Sequence, residues 1–217
     1  MHVKVLMIDD HPPITEGYKA ILSQISDRYT IDVTMAFTAK NGYEIISTIH
    51  DFQLIFIDFT LPVYEEKGIH SGQDLIPFIR KYCPLAKVLV ATSHSESLLL
   101  YNLINDFKPD GVMIKSDVKS EDFIEAFEII INDGNYYSRS IVELQKEWEK
   151  KSKILDSYNR QILLLLAEGA KTKSLPEILH LSQSAIDKRK AAIKMILGIE
   201  KGNDEDILRE ARKQGLV

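Results

Sequence analysis

Cysteine is almost missing from this 217-residue chain. Cys83 stands alone, so neither an internal disulfide nor a thiolate metal cluster can form. Beside Pro84 at an expected helix end, Cys83 reads as a structural cysteine, and redox chemistry drops out. Long apolar runs are also missing. No stretch approaches the roughly 18–20 residues that would span a bilayer. Met1 leads straight into a strand-like run with no signal-peptide pattern, so the expected location is cytoplasmic, away from membranes. Low-complexity tracts are absent, and 45% hydrophobic with 27% charged residues is an ordinary globular composition. The length favours two modest domains over one large one.

The small net charge of −5 hides an asymmetry. Residues 153–217 hold 12 Lys/Arg against 9 Asp/Glu, whereas residues 1–152 hold 15 against 23. Within 171–194 the tally is six basic to two acidic, a local concentration that matters more than the whole-chain balance.

Hydrophobic patterning divides the chain at the same place. Strand-like runs at 3–8, 30–35, 53–57, 87–91 and 111–114 alternate with amphipathic segments near 14–26, 39–50, 73–82, 95–107 and 119–132. Five strand-then-helix repeats imply right-handed crossovers and a parallel sheet covered on both faces. The expected fold is therefore α/β, flavodoxin-like, with strand order 2-1-3-4-5, over residues 1–134. After Gly134 the strand pattern ends. A charged stretch at 135–152, with apolar Ile141, Leu144 and Trp148, reads as a partly helical linker, and from Leu155 onward only helices are expected.

The first strand, "VKVLMIDDHPP", stops on Asp9 and Asp10, and the third, "LIFID", stops on Asp58. In an open parallel sheet the loops at the carboxyl ends of the strands line one crevice, and in this strand order the first and third strands are neighbours. Three carboxylates would then converge. They would repel one another without a cation, and a hard ion such as Mg²⁺ suits such a site. Thr92 ends the fourth strand and Lys115 the fifth, placing a hydroxyl and an ammonium across the same crevice. Acids for a metal, a forward carboxylate, a hydroxyl and a lysine are what phosphoryl transfer to an aspartate requires. Any one of these Asp residues alone would be an ordinary turn former or helix cap; their joint placement reverses that reading. His11, His70 and His94 lack metal-ligand spacing and read as surface or capping residues.

"VLMIDDHPPITEGYKAIL", "LIFIDFTLP", "VLVATS" and "GVMIKSD", in this order and spacing, resemble the receiver domain of two-component response regulators, in the "DDHP…G" form of the NarL/FixJ (LuxR-type) subfamily. The resemblance covers 1 to about 132. It implies Asp58 as phospho-acceptor, Asp10, Asp58 and the backbone carbonyl of Thr60 as Mg²⁺ ligands, and Asp9 acting through water. It further implies Thr92 as the switch hydroxyl, with Ser93 as the alternative, and Lys115 as the phosphoryl-binding lysine. The chain departs from the family pattern in three places. Val112 stands where the family has an aromatic switch, the insertion "YEEKGIHSG" displaces a family glycine to Gly72, and "FKPDG" replaces "GADG".

In the C-terminal region, apolar Ile162, Leu163, Leu165 and Leu166, a stop at Gly169, a short helix near 175–180 and a third helix after Ser182 spell helix-turn-helix. Ile186, Ile193 and Leu197 would be buried, turning Asp187, Lys188, Lys190, Ala191 and Lys194 outward. Such a basic face suits phosphates and guanine edges in the major groove. Pro176 predicts a late helix start, with Ser174 capping and Glu177 closing the box "SLPE". Residues 153–217 resemble the four-helix LuxR-type (GerE-like) DNA-binding domain. The resemblance implies a DNA-binding set of Ser182, Ser184, Asp187, Lys188, Arg189, Lys190, Ala191 and Lys194, with Asp187 standing where the family often has Lys.

The expectation is a DNA-binding response regulator, not an enzyme. A sensor histidine kinase would phosphorylate Asp58 with Mg²⁺ as cofactor, and the chain would then homodimerise on double-stranded promoter DNA, with RNA polymerase as a further partner. A regulator controlled without phosphorylation is the alternative, motivated by Val112. A phosphoaspartate-type phosphatase ranks last, because Thr60 stands where that chemistry would place a second Asp.

Overall fold

The structure, a computed structural model, describes residues 1–151 and 156–217; of 147–151 only the backbone is described. The expected boundary between residues 152 and 153 and the Trp148 side chain lie outside what is described. The chain divides into two compact units, Met1–His94 with Leu103–Val142, and Ser95–Asn102 with Glu143–Val217.

The first unit is built on a parallel sheet of β1 (His2–Ile8), β2 (Thr30–Ala36), β3 (Leu54–Asp58), β4 (Lys87–Thr92) and β5 (Gly111–Ile114). The order is β2-β1-β3-β4-β5, closed at one edge by β6 (Tyr136–Tyr137). This sixth strand corrects the expectation that strands end at Gly134. Two residues are too short to show a period of two, and β6 is held by pairing Tyr136 to Gly111 and Tyr137 to Val112 rather than by a pattern of its own. Alternate strand residues face opposite ways. Val5 and Met7 of β1, with Phe56, Leu89 and Met113, join a core with Leu22 of α1 (Pro12–Ser23) and Phe123, Phe127 and Ile130 of α5 (Ser120–Ile131). Ile8 faces the other way, packed so close to α2 (Ala39–Thr48) that a Cβ on Gly42 would meet its side chain at 2.8 Å.

Two helices differ from their sequence reading. The segment expected to start a helix at 73 begins as a tight 3₁₀ turn, Gly72–Leu75, and becomes α3 only at Ile76–Tyr82. Asp74 Oδ2 accepts from the Ser71 backbone N–H at 2.9 Å and anchors that turn. The expected helix at 95–107 is α4 (Ser97–Asn102) followed by a widened i→i+5 turn over Leu103–Phe107.

The second unit holds α4, most of α6 (Arg139–Lys151) and four further helices: α7 (Ser157–Ala167), α8 (Leu175–Leu179), α9 (Gln183–Ile196) and α10 (Asp204–Lys213). Its core gathers Leu98, Ile162, Leu163, Leu175, Ile186, Ile193 and Ile207. Ile186, Ile193 and Leu197 are buried as the pattern of α9 requires. The Ser182 hydroxyl accepts from Ala185 N–H at 3.2 Å and caps α9. The "SLPE" box does not form. The turn Thr172–Ser174 runs directly into α8, so Ser174 is already helical (φ −88°, ψ −17°) and its hydroxyl donates instead to Lys171 O at 2.8 Å. A capping residue needs extended backbone to fold its side chain over the first turn, and Ser174 lacks it.

Candidate functional site

Asp9 is fully buried and Asp58 nearly so, at the tips of neighbouring strands. Lys115, at the end of β5, reaches both. Its Nζ lies 2.9 Å from Asp9 Oδ2 and 3.1 Å from Asp58 Oδ1. Burial pushes the Asp58 carboxyl above its usual value; the Lys115 charge pulls against that shift and the Asp9 charge adds to it. One ammonium thus offsets part of the desolvation cost of two carboxylates. Tyr18 of α1, packed against Phe56 and Phe123, is pushed up to about 12, first by burial and then by Asp9 and Asp58, so it remains a neutral wall of the pocket.

Asp10 completes the acid set. Its Oδ1 is shut off from solvent and takes no hydrogen bond, an orphaned acceptor at the rim of the pocket. A buried carboxylate oxygen left without a hydrogen bond is costly unless a cation serves it, and oxygen donors of this kind fit a hard divalent ion. Asp10 and Asp58 are the residues that would hold it, with Asp9 behind. Thr60, two residues past Asp58, is exposed, and its backbone N–H bonds Asp58 Oδ1 at 3.4 Å. Between the two switch candidates, Thr92 is fully buried at the tip of β4, where its Oγ1 accepts from His94 N–H at 2.9 Å, while Ser93 is exposed.

Two features of the pocket go beyond the sequence reading. Gly72 packs against the end of β3 so tightly that a Cβ would fall 1.9 Å from Asp58 O, so the insertion moves the glycine without relaxing the need for it. His11 is exposed and stands at the N-cap position of α1, as expected, but its ring also joins Asp9, Asp10 and Asp58 in one group whose ligand atoms lie within 4.8 Å of one another. Spacing rules search for helical or loop repeats of ligands, and a histidine adjacent to the carboxylates in sequence matches none of them.

On α9, Ser182, Ser184, Asp187, Lys188 and Ala191 are exposed. The other three expected DNA contacts are not free cations. Arg189 Nη1 bonds Asp156 Oδ1 at 2.7 Å, Lys190 Nζ pairs with Asp204 and donates to Thr172 Oγ1 at 2.8 Å, and Lys194 Nζ donates to Gly202 O at 2.5 Å. The outward reading of Lys190 and Lys194 is corrected to half-buried, because their stems run back to α10 and the loop before it. Burial pulls Asp204 up, but its hydrogen bonds to Lys190 and Thr172 win and hold it below the usual carboxylate value.

No family model matches the chain. Among curated proteins, the transcriptional regulatory protein MctR of Rhizobium johnstonii is 27% identical over 217 residues, covering 99% of this chain and 95% of the relative. The response regulator protein VraR of Staphylococcus saprophyticus is 25% identical, covering 84% of each. Among solved structures, RcsB in complex with DNA superposes with a TM-score of 0.66 at 23% identity, over 98% of both chains. The isolated receiver domain of Salmonella enterica RcsB matches 66% of this chain at a TM-score of 0.57 and 20% identity. The chain thus shares its fold with response regulators, a receiver-like α/β unit followed by a helical unit, and is similar to such regulators over most of its length.

Proposed function

We propose that this chain is a transcription regulator whose binding to promoter DNA is switched by phosphorylation of Asp58. The observation that carries the reading is Lys115 Nζ held 2.9 and 3.1 Å from Asp9 and Asp58. An Asp58 oxygen attacks the phosphorus of a phosphohistidine on a sensor kinase, or of a small acyl phosphate. The O–P bond forms as the donor's P–N or P–O bond breaks, and the electron pair leaves with the donor. Asp10, Asp58 and the Thr60 carbonyl would hold a divalent cation, which would supply charge to neutralise the phosphoryl oxygens. Lys115 moves from Asp58 to a phosphoryl oxygen, and the Thr92 hydroxyl, now an acceptor for His94 N–H, turns to donate to another. The phosphorylated receiver shifts to a conformation that favours a homodimer, whose paired α9 helices engage two half-sites. RcsB dimers have been seen bound to DNA, which supports the arrangement.

Incubating the chain with a small acyl phosphate and Mg²⁺ should add one phosphoryl mass to the intact protein and raise affinity for its promoter. Asp58→Asn should do neither, and an acyl phosphate on that variant would show the acceptor to be elsewhere. Val112, fully buried in β5 where the family has a rotating aromatic, favours a second reading, control by a protein partner without phosphorylation. Equal promoter affinity with and without phosphodonor would select it.

A further inference from the structure

We propose that His11 is a nitrogen ligand of the cation in the acid pocket and sets which divalent ion the pocket prefers. The proposal rests on the reading that the pocket holds a divalent cation. His11 Nδ1 lies 2.8 Å from Asp10 Oδ1 and 3.3 Å from Asp9 Oδ1. The shorter contact has no hydrogen-bond geometry, since Asp10 Oδ1 remains without a hydrogen-bond partner. Two donor atoms that sit side by side on a small cation at about 2.1 Å are themselves about 3 Å apart. The separations thus match those of adjacent ligands on one ion. The group of four, His11 included, offers one donor atom each within 4.8 Å.

The backbone fixes this aim. Pro12 follows His11, and a residue before proline is confined to extended conformations. His11 sits at φ −110° and ψ 92° as the last residue before α1, and its own N–H donates to Asp9 Oδ1 at 2.9 Å. Its side chain remains largely open to solvent, which leaves the imidazole free to approach an ion arriving from outside. A pocket of oxygens alone suits Mg²⁺. One imidazole adds the donor type that Mn²⁺, Co²⁺ and Ni²⁺ accept with affinity rising along that series, while Mg²⁺ gains little from nitrogen.

Titration calorimetry on the untagged chain, wild type and His11→Ala, with Mg²⁺ and separately with Ni²⁺, tests this. The Ni²⁺-to-Mg²⁺ affinity ratio should fall at least tenfold in the variant, the order of loss seen when even a ligand's hydrogen-bond partner is removed. Mg²⁺ affinity should change little. Mn²⁺-loaded wild type should show ¹⁴N coupling in pulsed electron paramagnetic resonance, and His11→Ala should lose it. Tight Mn²⁺ binding without nitrogen coupling, or an unchanged affinity ratio, overturns the assignment of His11 and leaves the cation pocket standing. Failure of wild type to bind any of the three ions at millimolar concentration overturns the cation reading itself and His11 with it. Retained circular dichroism and thermal midpoint in His11→Ala separate ligand loss from misfolding.

Discussion

Asp58 carries opposing physical demands. The folded carboxyl titrates above its usual value, burial being the leading cause. Between the ordinary value and the raised one the native state binds more protons than the unfolded chain, so stability falls as pH rises through that window. The neutral isostere Asp58→Asn should accordingly be more stable than wild type at neutral pH without metal. The advantage should shrink as pH drops below the raised value; urea midpoints at several pH values check this. Gly72 meets a steric demand instead. A Cβ 1.9 Å from Asp58 O cannot be accommodated without shifting the tip of β3. Gly72→Ala should cost about 2–4 kcal/mol in denaturant unfolding and slow phosphoryl uptake, in the range of strained or overpacked sites. The acid residues were legible because strand ends in a parallel sheet have predictable neighbours. His11 was not, because its role depends on ring direction and on a proline behind it rather than on ligand spacing.

At the scale of elements, Asp117 ties the turn after Lys115 to the start of α6. Its carboxylate accepts from Ser138 Oγ at 2.9 Å, Ser140 N–H at 3.0 Å and Ser140 Oγ at 2.9 Å, while Ser138 Oγ accepts from Ile114 N–H at 3.1 Å. Lys115, proposed above to meet the phosphoryl group, is therefore bracketed by bonds on both sides. Asp117→Ala removes a partly buried acceptor serving three donors, each worth about 1 kcal/mol net. It should destabilise the receiver by about 2–3 kcal/mol and raise amide exchange over 114–118 and 138–142. This staple and β6 were hidden from the sequence for one reason. Both are short segments whose order comes from hydrogen bonds to residues distant in sequence, whereas the five main strands and α1, α2, α5 and α9 announce themselves by apolar periodicity. The "SLPE" box failed in the complementary way. Its residue types were right, but a preceding turn had already made Ser174 helical.

Across the whole molecule, charge is partitioned, and the structure changes how much of that charge can reach a ligand. Counting residues 171–194 gives six cations per chain, which for a dimer on DNA would predict a salt slope of about −11, at about 0.9 per phosphate neutralised. Arg189, Lys190 and Lys194 are engaged by Asp156, Asp204 and Gly202 O. Lys171, Lys173 and Lys188 remain exposed. Six phosphate contacts per dimer would give a slope of about −5. Fluorescence anisotropy with promoter DNA over a salt series separates the two counts, a slope steeper than about −8 showing that the internal pairs open on binding. Asp204→Asn supplies the converse test. Neutralising that partner frees the Lys190 ammonium while keeping a hydrogen-bonding side chain at the start of α10, so the salt slope should steepen by about 2 per dimer and non-specific affinity should rise. Asp187, exposed on the same face, repels phosphate wherever it does not meet a cytosine amino group. Asp187→Asn should then strengthen binding to random duplex while weakening or leaving unchanged the preference for the promoter. A uniform gain on both DNAs would place Asp187 over the backbone, and a loss on the promoter alone would place it over a base.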